Sequence, residues 1–182
     1  NTIAIYDAAI LNICSNLKIK IPEKLKTKYE ISSFLKKDGK NNIWTKIQAY
    51  CYSYYIKDAV PAPHSKAVLG NLKSSGYNLY LVSHKTKSPA YPLEVDLQDF
   101  ARHWVAKNFG SIFSELHFFE KKVEKVEFIK HHKPDYMIDD LPEILQLAQL
   151  GRDQSLLYSE RKQTSKYFTN CTCWKEIERN VV

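Results

Sequence analysis

The chain has 182 residues, room for one domain of ordinary size, and its 44% hydrophobic and 26% charged residues strike a globular balance that excludes wholesale disorder. Its 5 glycines form no G-x-G pair, which removes the glycine-rich dinucleotide fingerprint and the Walker-type phosphate loop together. A formal net charge of +7 raises nucleic acid or an anionic substrate as partners, to be weighed by where the lysines lie.

Residues 8–19 place Ile10, Ile13, Cys14 and Leu17 at i, i+3, i+4 and i+7, which predicts a one-faced helix. A lysine-rich stretch follows from Ile21 to Lys40, with Pro22 as a helix start and Asp38-Gly39 as a turn. Residues 42–57 predict a second helix, with Ile43, Ile47, Cys51 and Tyr54 on one face and Trp44, Gln48 and Tyr55 on the next. Val60-Pro61-Ala62-Pro63 is an extended connector. The pattern then changes to alternating helix and strand. A helix over 64–75 closes at Gly76, and Leu79-Tyr80-Leu81-Val82 reads as a strand buried on both faces. A helix over 94–108 precedes a strand over 116–119, and a short helix over 124–132 precedes a strand over 136–138. A helix over 141–150 stops at Gly151, Ser155 to Tyr158 is a fourth strand, and the tail ends in Trp174-Lys175-Glu176-Ile177. Strands alternating with helices of about ten to fifteen residues predict an α/β fold with a parallel sheet. The all-helical 8–57 segment is then an insertion.

No apolar run approaches the ~20 residues of a membrane span, and none resembles a signal-peptide core. Cys14, Cys51, Cys171 and Cys173 supply no zinc spacing, since a single residue separates the last two. They read as reduced thiols of a cytoplasmic protein. His131-His132, at a helix end, reads as solvated.

Ligands of an open parallel sheet bind at the carboxyl ends of its strands, and three polar signals fall there. The strand over 79–82 runs into Ser83-His84-Lys85, the strand over 136–138 runs into Asp139-Asp140, and Lys125 heads the helix between them. A hydroxyl and a lysine can grip a phosphoryl group, and a carboxylate pair suits a hard cation such as magnesium.

This ordered series resembles the haloacid dehalogenase-like phosphohydrolase superfamily. Ser83 matches its second motif, Glu124-Lys125-Val126-Glu127-Phe128-Ile129 its third, and Ile138-Asp139-Asp140-Leu141-Pro142 its fourth. Lys121 and Lys122 compete with Lys125 for the third role, and the register with the following helix selects Lys125. The resemblance covers roughly residues 60–160. It implies a Rossmann-like core built from 1–7 and 58–182, with 8–57 as a helical cap inserted after the first strand. The superfamily's first motif, Asp-x-Asp-x-Thr, aligns in two ways. Either Asp7 is the nucleophile, which leaves Ala9 where the second Asp belongs, or Asn1-Thr2-Ile3 is the tail of Asp-Phe-Asp-Asn-Thr-Ile. The second alignment is preferred; Thr2 is then the motif threonine, and both aspartates precede residue 1.

The resemblance implies hydrolysis of a small phosphorylated metabolite through an aspartyl-phosphate. Asp139 and Asp140 would serve the magnesium ion, Ser83 would bind a phosphoryl oxygen, and Lys125 would offset its charge. His84 and Lys85 would contact the leaving group, and Trp44, Gln48, Tyr52 and Tyr55 are candidates for the inner face of the cap. Two competing readings remain: a degenerate member that binds phosphorylated ligands without turnover, which follows from the Asp7 alignment, and a nucleic-acid module suggested by charge alone. The lysines fall in four separate stretches with no aromatic-basic recognition motif, so the expected partners include neither nucleic acid nor membrane.

Overall fold

The computed structural model describes residues 2–182; Asn1, the first residue of the motif tail proposed above, lies outside them. The fold is mixed α/β with small, open, parallel sheets. The chain divides into two units, the first from residues 2–3, Pro61–Lys85 and Phe109–Val182, the second from Ala4–Val60 and Thr86–Asn108.

The second unit is helical. Helices α1 (Asp7–Asn16), α2 (Lys28–Lys37) and α3 (Asn41–Cys51) close around Ala9, Ile10, Ile13, Cys14, Ile31, Leu35, Trp44, Ile47 and Cys51. The periodic face read from residues 8–19 is the buried face of α1. Pro22 does not start α2. The helix begins six residues later, where the Thr27 hydroxyl accepts from the Glu30 N–H at 3.2 Å and Glu30 accepts from the Thr27 N–H at 3.0 Å, a capping box that fixes the first turn. The turn at Asp38-Gly39 is present, with Gly39 at φ +69°. α3 ends at Cys51, earlier than its periodicity suggested, and a single 3-10 turn over Ile56–Asp58 takes its place. Helix α5 runs from Leu97 to Phe109, and Trp104 donates its indole N–H to the Ala59 carbonyl at 3.0 Å.

The two-residue strands β1 (Ala4–Ile5) and β2 (Val60–Pro61) pair with one another. In the first unit, helix α4 (Ser65–Ser74) ends at Gly76, whose φ of +94° suits glycine alone at no steric cost. Strand β3 (Tyr80–His84) pairs in parallel with β4 (Glu115–Phe119), with Ser83 opposite Phe118. Helix α6 (Lys122–His132) packs on β3 and β4 and against α7 (Pro142–Ala148). Strands β5 (Met137–Asp139), β6 (Ser155–Tyr158) and β7 (Thr169–Cys171) form a second parallel sheet in that order, with α7 packed on β5 and β6 and α8 (Trp174–Val181) on β6 and β7. Leu156 and Leu157 of the central strand are fully buried, each contributing about 1.5–3 kcal/mol of hydrophobic stabilisation.

Two expectations change here. β3 is not buried on both faces, because Leu81 and Val82 are only half-buried and β3 has one paired neighbour among the described residues. Helix α7 stops at Gln149, a left-handed residue with φ +57°, before Gly151 is reached.

Candidate active site

Lys125, Asp139, Asp140 and Thr2 converge at the carboxyl end of β5. Lys125 lies in the first turn of α6 and is buried with Val126 and Ile129 of the same helix, while Lys121 and Lys122 stay exposed. Its Nζ donates to Asp139 Oδ2 at 2.5 Å, and the two side chains are only 10% and 5% exposed. The other carboxylate oxygen, Asp139 Oδ1, accepts the Leu141 N–H at 2.9 Å, which fixes the turn from β5 into α7. Withdrawing both charges from water costs several kcal/mol per ion, and their attraction does little more than repay it. The pair is therefore poorly explained as a device for stability. It holds a cation and an anion at fixed positions where a parallel strand ends.

Asp140, the next residue, accepts the Thr2 hydroxyl at 2.9 Å. Thr2 is itself held. Its carbonyl accepts the indole N–H of Trp174 at 3.1 Å, and the following carbonyl, Ile3, accepts the Ala62 N–H at 2.9 Å. Trp174 is a residue that sequence reasoning missed, and no local signal ties position 174 to position 2. Its buried ring, 1% exposed, is the fixed end of this chain of contacts.

Ser83 is the fourth residue of β3 rather than the first residue beyond it, and is half-buried. His84 is exposed with Nε2 3.0 Å from the Glu120 carbonyl, and the Lys85 N–H donates to the Phe119 carbonyl at 2.9 Å. These three close the end of β3 in the same unit as the Lys125–Asp139 pair.

The residues assigned to the insertion belong to the second unit. Trp44 is 5% exposed within its core, and Gln48 is half-buried one turn on. Tyr52 meets Tyr6 edge-on at 5.2 Å between ring centroids, and the Tyr55 hydroxyl accepts from Asn16 at 3.0 Å. Lys28 lies 5.3 and 5.6 Å from the Tyr6 and Tyr52 ring centroids, within the range of a cation–π attraction. Asp7 accepts the Lys28 N–H at 2.7 Å and opens α1, a structural use of its carboxylate.

Among the described residues no group of three or more His, Cys, Asp or Glu side chains is gathered to hold a metal ion. Asp139 and Asp140 are nonetheless adjacent hard-oxygen donors. Magnesium is commonly held by one or two carboxylates with waters and substrate phosphate completing its shell, so this pair fits it in kind. Cys171, which is fully buried, does not compete for a catalytic role. Burial pushes the Cys171 thiol up to about 11, with Glu176 and Cys173 adding to the shift, so it is not a thiolate near neutrality. Among known proteins, no family model and no curated sequence matches the chain, and the arrangement of its own residues carries the functional argument.

Proposed function

We propose that the protein is a magnesium-dependent phosphohydrolase with a Rossmann-like core of the haloacid dehalogenase type. It would hydrolyse a small phosphate monoester through an aspartyl-phosphate whose nucleophile precedes Asn1. The observation that carries this reading is the buried Lys125–Asp139 pair with Asp140 and Thr2 beside it. The unpaired edges of β3 and β5 among the described residues also support it, since each leaves a row of backbone groups for a further strand of the sheet. Asp7 supports the same alignment from the other side, because its carboxylate is spent on the Lys28 N–H.

In this mechanism Ser83 donates a hydrogen bond to a phosphoryl oxygen, and Lys125 offsets the charge that builds on the transferring group. Asp139 and Asp140 would hold magnesium, which supplies charge neutralisation for the phosphoryl oxygens when bound. Thr2 orients Asp140, and Leu141 fixes Asp139 through its backbone N–H. His84 and Lys85, which follow Ser83 in the chain, would contact the leaving group. In the second unit Gln48, Tyr52 and Tyr55 are half-buried, whereas Trp44 is packed into the helical core.

The test is twofold. The reading frame immediately before Asn1 should encode Asp-x-Asp, and a different sequence there would sink the phosphatase reading. With p-nitrophenyl phosphate as substrate, the full protein should require magnesium, and Asp139→Asn should abolish turnover. An unchanged rate in that variant would overturn the metal assignment. Retained binding of inorganic phosphate without any turnover would favour the non-catalytic reading.

A further inference from the structure

The lysines are spread along the chain, but the excess charge is not. Residues 18–46 hold nine lysines against three carboxylates, whereas all the remaining residues together hold 18 basic and 17 acidic side chains. Nearly the whole net charge of +7 therefore belongs to this one segment of the second unit.

Two of the three carboxylates are spent on local structure. Glu30 accepts the Lys26 and Thr27 N–H groups and the Thr27 hydroxyl, each at 3.0 Å, and Asp38 pairs with Lys40. Among the described residues none of Lys18, Lys20, Lys24, Lys26, Lys36 and Lys37 is paired with a carboxylate, and all six are exposed. Their exposure follows from the packing. In the irregular stretch before α2, Ile19, Ile21 and Leu25 pack against the helical core, and the alternation turns the intervening lysines outward. Tyr29, in the first turn of α2, is 65% exposed, an aromatic face beside the cations.

From this arrangement we infer that the 18–37 surface of the second unit binds single-stranded nucleic acid. Unpaired cations neutralise the phosphate backbone, and an exposed aromatic ring stacks on unpaired bases. A bilayer is disfavoured because Tyr29 is the only exposed large hydrophobic residue in 18–46, so there is no aliphatic face to insert. A duplex is disfavoured because four of the six lysines flank irregular backbone rather than a helix shaped for a groove. The inference does not rest on the phosphatase reading, and its test needs no turnover.

The experiment is fluorescence anisotropy of the full chain with a labelled oligothymidylate of about 12 nucleotides, titrated across salt. Six neutralised phosphates predict a slope of log K against log salt of about −4, from about −0.7 per contact. Replacing Lys18, Lys20, Lys24 and Lys26 together by Ser should flatten that slope to about −1.4. Tyr29→Ala should weaken binding about tenfold at fixed salt and leave the slope alone. A control removing the same charge elsewhere, Lys66, Lys130, Lys133 and Lys175 to Ser, should change little, with circular dichroism verifying that every variant is folded. No binding at low salt, an equal loss in the control, tighter binding to a duplex of the same length, or preferential binding to phosphatidylserine vesicles would each overturn the inference.

Discussion

Removing the Lys125 ammonium tests the centre of the site without reference to any substrate. Lys125→Met keeps most of the side-chain volume but leaves the Asp139 carboxylate 5% exposed, with only the Leu141 N–H as a partner among the described residues. Breaking a buried ion pair from one side costs about 3–5 kcal/mol, far more than the pair itself contributes, because the remaining charge is stranded. At about 2–4 °C per kcal/mol for a chain of this size, the melting temperature should fall by roughly 6–20 °C. Asp139→Asn should cost a similar amount for the mirrored reason. The double variant is the deciding measurement. Lys125→Met/Asp139→Asn carries no stranded charge, and the introduced side-chain amide can still accept the Leu141 N–H through its oxygen. Its stability should therefore return to within about 1 kcal/mol of the parent. Urea unfolding followed by tryptophan fluorescence reads all four proteins. Single variants that each cost less than about 1 kcal/mol, with simple additivity in the double, would refute the claim that the two charges are buried together.

Two further outcomes follow from single groups. The Glu30 carboxyl is held below its ordinary value by the Lys26 and Thr27 N–H groups and the Thr27 hydroxyl. Its contribution is thus present above the unfolded value and lost as the pH falls through the folded one, so the stability gap between the parent and Glu30→Gln should hold above about pH 5 and close in acid; a gap that widens in acid would contradict the capping box. Ser155, the fully buried first residue of β6, has a hydroxyl with no hydrogen-bond partner among the described residues, so Ser155→Ala should raise stability by about 1 kcal/mol in urea unfolding. A loss of stability there would mean that the hydroxyl has a partner after all.

The parts of the fold that were legible in the sequence are those where local pattern and burial agree. The apolar stripe of α1, the run that becomes β6 and the close of α4 at Gly76 each carry a signal within a few residues, and each element forms where that signal lies. Pro22 is a misleading start signal for α2, because Thr27 and Glu30 supply two reciprocal hydrogen bonds further on and the helix begins there. Strand β7 passed unnoticed for a different reason. Thr169-Asn170-Cys171 has no apolar run, and the strand exists because its backbone pairs with β6, a tertiary cause that no short window contains.

The site divides along the same line. Lys125 could be chosen over Lys121 and Lys122 because helical register is local, and the structure turns Lys125 alone of the three inward. That Thr2 is held on Asp140 by a tryptophan 172 residues away could not be read, since nothing in either segment encodes the other. Charge was the most deceptive feature. Counting lysines along the chain shows them scattered, yet what a surface presents depends on the carboxylates that lie among them, and that balance varies sharply along the chain. Residues 18–46 carry nine lysines against only three carboxylates, so the segment is strongly positive by its local balance, while the rest of the chain is close to neutral. Partner chemistry therefore has to be read from the local balance of cations against carboxylates and from their exposure, which around α2 leaves six lysines exposed and without a carboxylate partner among the described residues.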